Sequence, residues 1–211
     1  ARRQVTVDGA RVKKGATQVK PESVVAIDGE LLVYAPTVWL MLNKPAGVIT
    51  ATEDAHHETV MDLLPERCAR MQVAPVGRLD KDTTGLLLLT NDGALAHRLL
   101  SPKRHVEKIY DVCYEETLVP DAVARCAAGI DLGDFTSAPA ALALLEEGHC
   151  PLTLREGKFH QVKRMLHALG GVVVALERVA FGGLALDAAL AAGQWRLLSE
   201  DEVAQLRAQV L

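Results

Sequence analysis

Residues 75–93 read Pro75-Val76-Gly77-Arg78-Leu79-Asp80-Lys81-Asp82-Thr83-Thr84-Gly85-Leu86-Leu87-Leu88-Leu89-Thr90-Asn91-Asp92-Gly93. Four consecutive leucines bounded by turn residues predict a strand buried on both faces. Gly77-Arg78-Leu79-Asp80 precedes that strand as a loop, so Asp80 is expected to be anchored by the core, two residues from Arg78. Gly77 and Gly85 permit backbone geometries that other residues resist, and they leave room for a large ligand. A carboxylate held rigidly beside a cation suits nucleophilic or electrostatic catalysis. The plainer alternative is a surface loop whose Asp and Arg merely pair.

Outward from this stretch, Val38–Leu42 reads as a strand ended by Asn43-Lys44-Pro45-Ala46-Gly47. Val60–Leu64 is a short helix candidate stopped by Pro65, and Asp92 is placed to cap a helix over Ala94–Leu100, closed by Ser101-Pro102. Lys108–Tyr114 alternates as a strand with Tyr110, Val112 and Tyr114 on one face. Pro120–Ala128 is predicted to be helical and Leu152–Leu154 a strand. Phe159–Leu169 is predicted as a helix whose Val162, Met165, Leu166 and Leu169 form an apolar stripe. Gly170-Gly171 ends it, Val172–Leu176 returns as a strand, and Ser199–Glu202 is a capping box opening a C-terminal helix. Strands and helices mix without strict alternation, which predicts an α+β fold with a mixed or antiparallel sheet.

The chain opens with two β runs ending in Asp8-Gly9 and Asp28-Gly29, strong turn signals. Some thirty residues cannot build an independent core, so residues 1–34 are expected to be an appendage, linked through Tyr34-Ala35-Pro36-Thr37 to a main domain over 35–211. Of the 211 residues, 49% are apolar, ample for one aliphatic core. No apolar run approaches the roughly 18 residues of a membrane span. Cys68, Cys113, Cys126 and Cys150 lack C-x-x-C spacing, a poor framework for disulfides or zinc, so a reducing cytoplasm is expected.

Net charge is −4, which by itself disfavours a nucleic-acid partner, but the charge is uneven. Arg98–Lys108 and Arg155–Arg164 each hold four cations and one Glu, whereas Asp111–Asp134 holds six carboxylates and one Arg. Screening confines each charge to about 8 Å, so local basic patches can bind phosphates on an acidic body.

The predicted 159–169 helix sets Lys163 and His167 one turn apart, with His160 before them and Arg164 beside them. This is either a solvated basic face or a cationic wall of a cleft in which Lys163 pairs with Asp80 and keeps it ionised. His160 and His167 lie two turns apart without a third ligand at standard spacing, so no metal is expected. Tyr110 is either a core tyrosine or a platform and proton acceptor for a base. Asp80-Lys81-Asp82-Thr83-Thr84 also fits the D-x-D-x-T pattern of phosphoryl-transferring aspartate enzymes similar to haloacid dehalogenases. Those place the first Asp at the end of an apolar strand; here the apolar run follows it.

Together, Gly77–Asp80 with Thr84-Gly85-Leu86-Leu87 and Thr90–Gly93, Met41–Gly47, Lys108-Ile109-Tyr110 and Glu156–Met165 resemble, in order, the motifs of the ribosomal RNA pseudouridine synthases. His160–Met165 and Gly182-Gly183-Leu184 are most similar to the small-subunit (16S, RsuA-type) branch. Residues 3–29 resemble the second half of the αL RNA-binding module (the S-four fold), without its two preceding helices. The resemblance implies a sheet with a central cleft and isomerisation of uridine to pseudouridine. It implies Asp80 as the essential carboxylate, Tyr110 stacking on a flipped base and removing a proton, and Lys163 as the basic partner of the aspartate. Arg78, Asn43, Lys44, Arg104, Lys108, Lys158, His160, Gln161 and Arg164 are expected to contact RNA. No cofactor is expected, and the expected partner of a monomeric enzyme is small-subunit ribosomal RNA in an assembly intermediate. Large-subunit (23S) RNA is the alternative substrate. A noncatalytic RNA-binding assembly factor is the alternative role, disfavoured because both Asp80 and Tyr110 are present.

Overall fold

In the computed structural model, which describes residues 3–20, 23–32, 37–145 and 148–211, the two Asp-Gly turns each close a hairpin. Strands β1 (Val5–Val7) and β2 (Ala10–Val12) form one, and β3 (Val25–Ile27) and β4 (Glu30–Leu32) the other. β1 and β3 pair antiparallel, giving a sheet of order β2-β1-β3-β4. The turn carboxylates lock the hairpins reciprocally. Asp8 Oδ1 accepts from the Val24 amide at 2.8 Å, and Asp28 Oδ1 from the Gln4 amide at 2.6 Å. This sheet belongs to one compact unit, residues 1–36; the rest of the chain forms a second, 37–211. The expected linker at 34–37 lies, apart from Thr37, outside the described residues.

The second unit contains β5 (Trp39–Lys44), α1 (Glu66–Arg70), β6 (Ala74–Pro75), β7 (Thr84–Thr90), α2 (Gly93–Leu100), β8 (Lys108–Glu115) and α3 (Ala122–Ala128). Then follow β9 (Ala141–Leu142), β10 (His149–Leu154), α4 (Gln161–Ala168), β11 (Val172–Phe181), β12 (Leu184–Ala185), β13 (Trp195–Leu197) and α5 (Glu200–Ala208). Their sheet runs β13-β5-β7-β11-β8-β10-β9, with β6 added to β7 and β12 to β11. The pairing of β7 with β11 is parallel and the other pairings are antiparallel. The fold is therefore α+β with a mixed sheet. Among the described residues, no helix is long and apolar enough to cross a membrane.

Leu86 to Leu89 on β7 are each no more than 1% exposed. Alternation sends Leu87 and Leu89 into one apolar cluster with Leu40 and Leu42, and Leu86 and Leu88 into another with Trp39 and Met41. β5 covers one edge of β7, while β11 and β6 share the other. This strand is the axis of the domain. The loop that enters its N-terminal end carries Asp80.

Several expected boundaries move. Val60–Leu64 is a series of turns, not a helix, because Asp62 turns its carboxylate onto the Thr59 amide and hydroxyl; α1 begins only after Pro65. Helix α4 starts at Gln161 because His160 adopts a left-handed conformation (φ 48°, ψ 30°) that breaks the helix. The 120–128 helix begins at Ala122, and the 152–154 strand already at His149. The 172–176 strand continues to Phe181 across two register shifts against β8. The caps are found where expected: Asp92 accepts from the Leu95 amide, and Ser199 and Glu202 form the capping box.

Candidate active site

The loop bearing Asp80 is pinned from beneath by groups distant in sequence. Thr50 Oγ1 donates to Leu79 O at 2.8 Å and accepts from the Leu79 amide at 3.1 Å. Lys44 Nζ donates to the carbonyls of Pro45, Lys81 and Thr83 at 2.9, 3.2 and 2.9 Å, and the Gly47 amide donates to Lys81 O at 2.8 Å. Lys44 is fully buried, and burial pulls its pKa down to about 8 against the raising influence of Asp82 and Asp80. Two glycines shape the ends of the loop. At Gly85 (φ +95°) a Cβ would run into the carbonyl oxygen of Arg178 and come 2.7 Å from Glu177 Cγ, at the parallel junction of β7 and β11. Gly77 (φ +77°) sits against Leu100.

Held this way, Asp80 is 29% exposed at its side chain, on the wall of a cavity of about 360 Å³, within the range that takes a small ligand. Two nitrogen groups on or beside α4 face it: His160 Nε2 lies 3.7 Å from Oδ1 and Lys163 Nζ 3.8 Å from Oδ2. Lys163 binds Asp82 more closely, at 2.6 and 2.7 Å to its two oxygens, and this bonding holds the Asp82 carboxyl below the usual carboxylate range. The lysine thus bridges both carboxylates. Tyr110, on β8 between Leu152 and Arg178, is 8% exposed and lines the same cavity.

The expected RNA-contacting residues divide. Arg78, Lys108, Lys158, His160 and Gln161 line the cavity; Arg78 is exposed, and the Lys158 ammonium sits 3.7 Å from the centroid of the Phe135 ring. Six of the nine, Lys108 and Gln161 included, also make hydrogen bonds within the protein. Asn43 donates to Leu190 O and Lys44 holds the aspartate loop. Lys108 is 8% exposed and donates to Val106 O. Gln161, 3% exposed, staples the preceding loop by accepting from the Lys158 amide and donating to Glu156. Arg164 turns to Asp134 and Leu132 O, away from the cavity, and Arg104 donates to Leu211 O.

Sequence reasoning passed over Thr50, Asp82's hold on Lys163, and Arg178. Arg178 is 2% exposed and lines the cavity; its Nε donates to Leu86 O at 2.8 Å, and its guanidinium carbon lies 5.3 Å from the centroid of the Phe181 ring. Its Nη2 and the Thr83 hydroxyl are buried without a partner, and both residues line the cavity. Burial, then the nearby Arg178, brings Lys108 down to a pKa of about 8. A signal for Arg178 existed: an arginine inside the apolar run of 172–181.

Two loop carboxylates share a lysine beside a cavity of about 360 Å³ lined by Tyr110, Lys108 and Arg178, a setting suited to a polar, ring-bearing ligand. Residues 38–168 match the family model described as RNA pseudouridylate synthase. The chain belongs to that family and is an isomerase acting on RNA uridine. It is 43% identical to the "Uncharacterized RNA pseudouridine synthase YtzG" of Bacillus subtilis (strain 168), covering 94% of this chain and 86% of that one. It is equally identical to "Ribosomal small subunit pseudouridine synthase A" of Escherichia coli (strain K12), covering 96% and 89%. A solved "pseudouridylate synthase" superimposes with a TM-score of 0.77 at 38% identity, over 96% of this chain and 88% of the other. The D-x-D-x-T reading falls with this assignment.

Proposed function

We propose that this chain converts a uridine of small-subunit (16S) ribosomal RNA to pseudouridine, as a cytoplasmic monomer acting on a partly assembled particle. The observation that carries the chemistry is Asp80, fixed on the cavity wall within 4 Å of Lys163 and His160. The choice of RNA draws on the likeness to the small-subunit enzyme of Escherichia coli. The unit over residues 1–36, with its linked hairpins and more cations than acids, reads as part of an αL RNA-binding module that adds phosphate contacts.

The reaction breaks the C1′–N1 bond, turns the base and joins C1′ to C5. The C5 proton departs and N1 regains one, so no oxidant, reductant or transferred group is needed. The target base must leave its stack to reach Asp80. In this reading Tyr110, on the cavity wall, stacks on it, and its hydroxyl takes the C5 proton. Asp80 acts at the ribose or base, with Lys163 orienting the carboxylate between itself and Asp82. Arg178 and Lys108 put buried positive charge under the base, where negative charge gathers as the C–N bond opens.

The test offers purified protein naked small-subunit RNA, large-subunit RNA, transfer RNA and a small-subunit assembly intermediate at one stated salt concentration, with pseudouridine mapped at nucleotide resolution. A single modified small-subunit site, formed fastest in the intermediate, is expected. Preferential modification of large-subunit or transfer RNA would overturn the substrate while leaving the chemistry intact.

A further inference from the structure

Phe159 is 75% exposed, the only aromatic side chain left open to solvent among the described residues. It has no place in either apolar cluster. One face of its ring lies parallel on the His160 imidazole, with centroids 3.8 Å apart and an interplanar angle of 17°. The other face is free. Both residues line the wall of the Asp80 cavity, and His160 in turn reaches Asp80 at 3.7 Å. The backbone of His160 is left-handed, a conformation unusual for a residue with a side chain and one that clusters at functional sites.

We propose that the Phe159–His160 pair is a stacking platform for the unpaired base next to the target uridine. This rests on the uridine-isomerising reading of the same cavity. Drawing one nucleotide into the cavity strips its neighbour of a stacking partner, and the open face of Phe159 replaces it. Ring separation within the pair is close to the roughly 3.4 Å step between stacked bases, so a base on Phe159 continues a stack of three rings. Arg78 and Lys158 on the same cavity supply the cations that the strand's phosphates require. A peptide or lipid partner would call for a wider apolar patch than one ring. The stack also links the neighbouring base, through His160, to the catalytic carboxylate, which makes Phe159 a positioning residue.

The test is a thermodynamic cycle on a small-subunit RNA fragment spanning the mapped target uridine. Conversion of the fragment by the wild type is established first, so a null result counts against the platform and not against the isomerase. The nucleotides 5′ and 3′ of the target are then made abasic in turn. At one of them, abasic RNA is expected to bind the wild type about tenfold more weakly, and Phe159→Ala to weaken intact RNA by a similar factor. Together they should cost no more than either alone. Phe159→Trp should restore binding, and the melting temperature of Phe159→Ala should match the wild type because the ring is exposed. Unchanged affinity in Phe159→Ala, or multiplicative losses at both neighbours, would overturn the proposal.

Discussion

Asp80 and Asp82 are two residues apart, share one lysine, and differ in what they face. Asp80 is on the cavity wall, whereas Asp82 is 71% exposed at its side chain and holds Lys163 from outside. Asp80→Asn is expected to fold normally and form no detectable pseudouridine. Asp82→Asn frees Lys163 for Asp80 and is expected to keep activity within about tenfold, the scale of a lost positioning contact rather than a lost acid–base group. Single-turnover rates on one RNA separate the two; equal losses would place the chemistry on the pair. Tyr110→Phe keeps the ring and removes the hydroxyl, so RNA affinity is expected to hold while turnover collapses. Full activity in that variant would leave Tyr110 with stacking alone. At this scale the sequence marks Asp80, Tyr110 and Lys163 by the order of their motifs. It conceals Lys44, which reads as an exposed cation after a strand but meets three carbonyls from two loops.

The elements that place these residues meet at the junction of β7 and β11. Gly85→Ala would force a Cβ onto the Arg178 carbonyl in a backbone conformation that resists one, and is expected to destabilise by about 3 kcal/mol or more. Gly77→Ala meets only the flexible end of Leu100 and should cost less; urea unfolding of both variants makes the comparison. A second joint ties β13 to α5, where Arg196 binds Asp187 and Glu202. Bonding to Arg196 lowers the Glu202 carboxyl to about 2 from its ordinary 4.5. The folded state therefore binds fewer protons, so this stabilisation is complete above about pH 4.5 and is lost as pH falls toward 2. Acid unfolding of Glu202→Gln should begin from a lower stability and fall less steeply across that window. Elements with a local cause were readable in advance: the four leucines of β7, the alternation of β8, the Asp92 cap and the Ser199–Glu202 box. Those decided by distant contacts were not. Apolar pattern alone cannot foretell that Asp62 folds 60–64 into turns, or that β11 runs on to Phe181 because β8, β7 and β12 give it partners.

At the scale of the molecule, an acidic chain must hold a polyanion, so its exposed local cations are expected to carry the phosphate contacts. RNA affinity is expected to fall steeply as salt rises. Arg78→Ala should flatten that slope by about one released counterion, whereas Lys44→Met, buried as it is, should leave the slope unchanged and lower stability instead. Filter binding across a salt series reads both. The order of the large sheet carries one more consequence. Its terminal strands are β13, of three residues, and β9, of two. Neither end strand is longer than three residues, so the end strands themselves offer little backbone for another molecule's strand to copy. Short sheet borders of this kind are how β-rich proteins resist edge-to-edge aggregation. Such end strands let a protein be concentrated on its RNA without its own copies adding strand to strand.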